Sequence, residues 1–224
     1  MGTAHIIKNE LACIIKTILV FYGGASTTEI AVKVAADIAD YWNAPRATVI
    51  IGGKSLQVKF EIQGYHIPNL APDDVMYNTN PANNFFRIEE QTSMDVSFVD
   101  GIGCNTGYFK LANLLQTGTT AAHEYGHTIG LDHPENMDIR GLGIPGIMYP
   151  RGTITDAAFL YNPLAIAGDN TNGGTMNPIH RQVTEHDIHA LQLHKLQFDN
   201  SGLAILGAFS SVWHNKYVAG GWWV

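Results

Sequence analysis

Charge is scarce in this chain. Asp, Glu, Lys and Arg make up 15% of its 224 residues, against 46% hydrophobic and 10% aromatic. That balance excludes disorder as the main state, because ample apolar surface is available to bury. Basic residues are scarcer still, 13 Lys and Arg against 20 Asp and Glu, for a formal charge of −7. The cationic surface that neutralises a phosphate backbone is therefore missing, and nucleic acid is not an expected partner. With Cys13 and Cys104 alone, at most one bridge can form, which excludes a disulfide-stapled mini-domain. The two thiols could pair, bind a metal or stay as small buried hydrophobes, the last being the default. Long apolar runs are also lacking. The run from Leu11 to Tyr22 is too short to cross a bilayer and is broken by Lys16, so no transmembrane segment is expected. Lys8 before it and the small residues Gly23 to Ser26 after it would suit a signal peptide, but Lys16 falls where an unbroken apolar stretch belongs. The segment is read as a strand instead.

What is present suits one domain of moderate size. The β-branched and aromatic stretch Ile14 to Tyr22 predicts a strand ending at Gly23-Gly24. Ser26-Thr27-Thr28-Glu29 has capping-box spacing, and Ile30, Val34, Ile38 and Tyr41 recur at helical intervals up to Pro45. Thr48 to Ile51, the alternating Leu56 to Tyr65, and Thr92 to Val99 predict further strands. Between them His66 to Glu90, rich in Pro, Asn and Asp, reads as a long surface loop. A helix is expected from Thr119 to Leu131, with Thr119 or Thr120 as N-cap and Gly130 as its stop. The Gly-, Pro- and Asn-rich stretch from Pro134 to Gln182 should be irregular. A last helix should begin at Thr184-Glu185-His186-Asp187 and run to about Phe198.

The chemistry concentrates in His123-Glu124-Tyr125-Gly126-His127-Thr128-Ile129-Gly130-Leu131-Asp132-His133, which spells H-E-x-x-H-x-x-G-x-x-H. Four residues along a helix return to nearly the same face, so His123 and His127 project side by side toward one ion. Gly130 can take the left-handed conformation that ends the helix and turns the chain so that His133 reaches the same ion. Three nitrogen ligands with an open fourth position are the usual pattern of a catalytic zinc, whereas structural sites are closed by a fourth side chain. Glu124 stands about 100° further round the helix than His123. It is placed to act on a water activated by the ion, taking its proton as the water attacks a carbonyl and passing it to the leaving amine. The pattern would arise by chance in a chain of this composition on the order of once in ten thousand.

These eleven residues match the metzincin clan of zinc endopeptidases. Gly146-Ile147-Met148-Tyr149-Pro150 looks like the clan's methionine turn beneath the metal, and its wording resembles the matrixin, or matrix metalloproteinase, branch. The strand-helix opening through Tyr41-Trp42 and the segment Val183 to Ile188 are also similar to a matrixin catalytic domain. The resemblance implies an α+β zincin fold with a twisted mixed sheet, an opening helix, an active-site helix and an irregular C-terminal part ending in a helix. It implies one catalytic Zn2+, a polypeptide substrate, and a secreted or cell-surface location that composition alone leaves open. It further implies an edge strand above the cleft that pairs with extended substrate. Gly107, Tyr108, Phe109, Lys110 and Leu111 are the candidate, an ordinary half-buried strand being the other reading. The domain limits expected are an N-terminal extension over 1–13, the catalytic domain over 14–198 and a Trp-rich tail over 199–224. That tail reads as packing or as contact with a propeptide or neighbour domain outside this sequence.

The chain also departs from the matrixin pattern. The His-x-Asp and Phe-Asp-Gly-Pro signatures of a structural zinc and of calcium sites are missing between His66 and Thr119, which leaves structural calcium uncertain. The Pro-Arg-Cys-Gly latency motif is missing as well. Pro150 stands where astacins and serralysins carry a zinc-approaching tyrosine, so no tyrosine ligand is expected. Met148 lies further beyond His133 than is usual, which makes Met176 in Gly174-Thr175-Met176-Asn177-Pro178 a rival for the methionine turn. The segment after that turn, Arg151 to Leu164, would shape side-chain preference. His186, His189 and His194 are read as helix-surface residues, and Asp169 to Gly174 as a turn without the acidic residue that closes a calcium loop. Two other readings stay open: a gluzincin peptidase in which Glu185 replaces His133 as third ligand, and a non-catalytic zinc-stabilised peptide-binding module.

Overall fold

The computed structural model describes residues 1–92, 95–116 and 118–217. Its centre is β2 (Ala12–Tyr22), buried along most of its length on both faces, which explains a nearly continuous apolar run in place of simple alternation. One edge of β2 pairs in parallel with β4 (Lys54–His66). The other edge is shared: Ala12 to Lys16 pair antiparallel with β1 (Gly2–Ile7), and Ile18 to Tyr22 pair in parallel with β5 (Asn83–Glu89). Beyond β4 lies β3 (Thr48–Ile51). Beyond β5 come β7 (Thr106–Lys110), parallel, and then the short β6 (Phe98–Val99), antiparallel. The order β3-β4-β2-β5-β7-β6 makes a mixed sheet, and β8 (Leu203–Leu206) adds to it through β1.

Between β2 and β3 runs α1 (Thr28–Asn43), with Thr27 as N-cap accepting the Ile30 N–H at 3.2 Å, one residue later than the capping box at Ser26 predicts. Its buried stripe of Ala31, Val34, Ala35, Ile38 and Trp42 lies in one core with Leu19, Phe21, Phe60 and Phe86 from the sheet. Burying Val34 or Ile38 in this way contributes about 1.5–3 kcal/mol each. The one-turn α2 (Pro72–Met76) follows β4. After β7 the chain enters α3 (Leu111–Gln116) and then α4 (Gly118–Thr128), which lies against α1. The last helix is α5 (Glu185–Ala190), capped by Thr184 with Asp187 reaching back to the Thr184 N–H at 2.7 Å.

Several expectations are corrected by this topology. The supposed loop His66 to Glu90 contains β5, an interior strand. Its Asn84 donates to the Met1 carbonyl, and its Arg87 and Glu89 pair with each other inside the protein. The strand expected over Thr92 to Val99 is reduced to Phe98–Val99, with Ser93 and Met94 outside the described residues. Thr119 and Thr120 are inside α4, not at its cap. The last helix stops at Ala190, because Gln192 turns left-handed at φ 49° and a short 3-10 turn takes over. Residues 1–13 contain β1, which bridges β2 and β8 within the sheet. The described part of the tail joins the same body: Trp213 stacks on Tyr22 at 4.7 Å between ring centroids, while Trp222 and Trp223 lie outside the described residues. Cys13 is fully buried and Cys104 partly so, both as free thiols. Among the described residues no helix is long and apolar enough to cross a membrane.

Candidate metal centre and active site

Helix α4 is fixed on three sides before any of its functional groups is considered. The Trp42 indole donates to the Ala122 carbonyl at 3.0 Å, tying α4 to α1. The Tyr125 hydroxyl meets Thr17 Oγ1 at 3.0 Å, tying it to β2. At its C-terminal end the His127 carbonyl accepts the Gly103 N–H at 2.7 Å, and the Thr128 carbonyl accepts the Met1 amino group. The helix ends as the glycine in the sequence requires. Gly130 has φ +104°, its N–H donates to the His127 carbonyl, and the Leu131 N–H donates to the Gly126 carbonyl. That pair of bonds is the Schellman ending, and the left-handed residue within it reverses the chain.

The reversal brings His133 back to His123 and His127. The three Nε2 atoms form a nearly equilateral triangle, with separations of 3.2 Å between His123 and His127 and 3.1 Å from each of these to His133. The outer nitrogens of the two helical histidines are already committed: His123 Nδ1 lies 2.7 Å from the Ile147 carbonyl and His127 Nδ1 lies 2.7 Å from the Leu131 carbonyl. A carbonyl only accepts, so both Nδ1 atoms carry the proton and the neutral rings present unprotonated Nε2 atoms inward. Burial, with the nearby Arg181 charge, holds His123 well below its ordinary pKa. Burial likewise lowers His127 and His133. Two lone pairs aimed at each other at such a distance repel, and a single proton on His133 could relieve only one contact. A cation inside the triangle relieves all of them. Nitrogen ligands of a tetrahedral zinc at about 2.0–2.1 Å stand about 3.3 Å apart, close to the spacing found here. The residues present fit the ion.

A tight turn at Gly146 to Tyr149 contacts this cluster. The Tyr149 N–H donates to the Gly146 carbonyl at 3.3 Å, closing a tight turn that presents the Ile147 carbonyl to His123. Met148 is buried against α4 where Gly126 leaves room; a Cβ on Gly126 would stand 2.3 Å from the Met148 sulfur. Met176, its rival from sequence, is likewise buried and forms a backbone bridge with Leu160. Glu185, the alternative third ligand, is exposed on the first turn of α5, and the histidine cluster is completed by His133.

Glu124 is 7% exposed and borders, with His123, His127 and His133, a cleft of 280 Å3 whose other wall is Phe98 and Val99 of β6. Burial pushes its carboxyl up to about 8, opposed by the Arg181 charge and by a hydrogen bond from the Val99 backbone. Of the expected edge strand Gly107 to Leu111, β7 pairs with β5 along Thr106 to Lys110 and with β6 at Gly107 and Tyr108 alone, and Leu111 opens α3. The edge beside the cleft is β6. The sequence reading put a strand over Thr92 to Val99 but not its place beside the cleft, which depends on distant chain. It also missed the carbonyls of Ile147 and Leu131, which have no side-chain signature, and Arg181, a solitary basic residue in an irregular stretch. The remaining features read as surface from sequence stay so. His189 contacts the Thr48 carbonyl, and the Asp169 carboxylate accepts the Thr171 and Asn172 N–H groups of its own turn.

No family model and no curated protein matches the chain. Among solved structures it is similar to myroilysin, at 10% sequence identity and a TM-score of 0.40 over 87% of this chain and 100% of that one. At that level the likeness carries no functional weight, and the reading of the site rests on its own geometry.

Proposed function

We propose that this protein is a zinc-dependent endopeptidase of the metzincin clan, matrixin-like in its methionine turn. The observation that carries the reading is the triangle of Nε2 atoms with two of its outer nitrogens already spent on carbonyls. His123, His127 and His133 would hold the ion, which supplies Lewis acidity, lowering the pKa of a water molecule and polarising a carbonyl.

The chain's own groups do the rest. Glu124, next to His123 on α4 and lining the same cleft, receives the proton of the attacking water and delivers it to the departing amine. Its burial favours proton uptake, since the charged carboxylate is poorly solvated there. Among the described residues β6 is last in the sheet order and borders the cleft, where an extended peptide would bind by strand addition with little regard to sequence, the Val99 N–H exchanging its bond to Glu124 for one to the peptide. Met148 and the Ile147 carbonyl hold the floor of the site and the tautomer of His123. The test is a metal assay coupled to cleavage of a denatured protein, with and without a chelator. Zinc at one equivalent with chelator-sensitive cleavage is the expected result. A fully metal-loaded protein that leaves every polypeptide intact would refute it.

A further inference from the structure

A second cavity, of 360 Å3, opens beside the histidine cluster and shares His123, Glu124 and His133 with it. Its far wall carries two guanidinium groups, those of Arg181 and Arg151. Arg181 is 4% exposed, so its charge has been taken almost wholly out of water. One arm, Nη1, donates to the Tyr149 carbonyl at 3.2 Å, while the buried Nε–H has no acceptor. Among the described residues neither arginine forms an ion pair at this cavity. Among the described residues Arg151 reaches the Asn113 side-chain oxygen, at 3.4 Å, and Glu124 is the one carboxylate in the lining. The two guanidiniums also repel each other, and burial together with that repulsion lowers Arg181 to about 10 despite the opposing pull of Glu124.

Buried charge is costly unless it is paired. If Arg181 only secured the Tyr149 carbonyl, a neutral donor would do so at less cost. The arrangement instead asks for an anion with planar, two-oxygen geometry, the shape a guanidinium fork recognises.

We propose that this cavity selects substrates through a carboxylate seated at Arg181 and Arg151, next to the bond that is cut. This rests on the peptidase reading above and names its substrate class: polypeptides carrying Asp or Glu at a position flanking the scissile bond, or a free C-terminal carboxylate close to it. Both sources present the same group. Arg181 and Arg151 would be specificity residues, touching substrate but taking no part in proton transfer.

The experiment is digestion of a mixed peptide library by the zinc-loaded protein, with mass spectrometry of the cut sites. The library has two arms: C-terminally amidated peptides with internal Glu or Gln, and free-acid peptides without acidic residues. Acidic residues should be enriched beside the cut about tenfold over their amides, as a charged hydrogen bond warrants. Preference confined to the free-acid arm would identify the chain terminus as the source. Arg151→Gln, at an exposed position that should fold normally, should reduce the preference for acidic over amide residues severalfold. Cleavage with no preference for either carboxylate, or a preference unchanged in both Arg151→Gln and Arg181→Gln, would overturn the inference and leave the peptidase reading standing. If no peptide is cut, the peptidase reading fails instead. The cavity is then judged by binding to Glu124→Gln, where a Glu peptide should bind about tenfold tighter than its Gln counterpart, and equal affinity would refute selection by carboxylate.

Discussion

At the scale of single residues the site depends on groups whose partners are already chosen. Glu124 ligates nothing in the triangle, so Glu124→Ala should retain zinc at one equivalent while peptide hydrolysis falls about a hundredfold or more; metal analysis and initial rates on the same preparation check both halves. Gly126 is constrained by contact, with no space for a methyl group between α4, the Met148 sulfur and the Trp42 ring. Gly126→Ala should lower stability by about 1–3 kcal/mol in a denaturant titration, as overpacking of a tight core does. Thiol chemistry gives a check independent of the metal. Burial pushes the Cys13 thiol up to about 11, so at pH 8 only on the order of one molecule in a thousand carries the reactive thiolate. The partly exposed Cys104 should therefore be alkylated in the native protein while Cys13 stays unmodified until denaturant is added.

At the scale of elements the question is how α4 and the turn at its C-terminal end deliver three imidazoles to one point. Gly130 makes that turn at φ +104°, where a side chain costs about 1–2 kcal/mol. Gly130→Ala should lose that stability and also weaken zinc binding, because the strain falls between the second and third ligands. A competitive chelator titration measures the second effect, and unchanged affinity would show that His133 is placed by other contacts. This part of the site was legible from sequence because it is local: an i, i+4 pair and a glycine stop are patterns of spacing. The parts that were not legible depend on distant chain. The hydrogen bonds that orient the imidazoles come from the Ile147 and Leu131 carbonyls, and the cleft wall comes from Phe98 and Val99. The strand β2 announced itself by its run of β-branched and aromatic residues, and β4 and the helix α1 by apolar period. In contrast β5 was hidden by Asn83, Asn84, Arg87 and Glu89, polar residues that normally mark loops. Within the fold Asn84 is satisfied by Met1 and Ala82, and Arg87 by Glu89 and the His214 carbonyl.

At the scale of the whole molecule the first strand and the described residues after β8 serve the same body. Strand β1 bridges β2 and β8, the Met1 amino group caps the Thr128 carbonyl at the end of α4, and the segment before 217 lies against Tyr22 and Tyr108. None of this could be read from composition, because burial of a terminal segment is decided by which surfaces the rest of the fold leaves open. Stability and metal binding should be linked across the molecule. An ion that binds the folded triangle and not the unfolded chain stabilises by about 4 kcal/mol at a thousandfold excess over its Kd. The melting temperature should accordingly rise on adding zinc and fall back with chelator. His133→Ala should blunt that rise, whereas Glu185→Ala should leave it intact. The most direct measurement of the central claim is an anomalous-scattering map of the zinc-loaded protein in the crystal. The account predicts a single peak at about 2.0–2.1 Å from Nε2 of His123, His127 and His133, with solvent at the fourth position. A peak that excludes His133, or a fourth side chain closing the coordination shell, would contradict it.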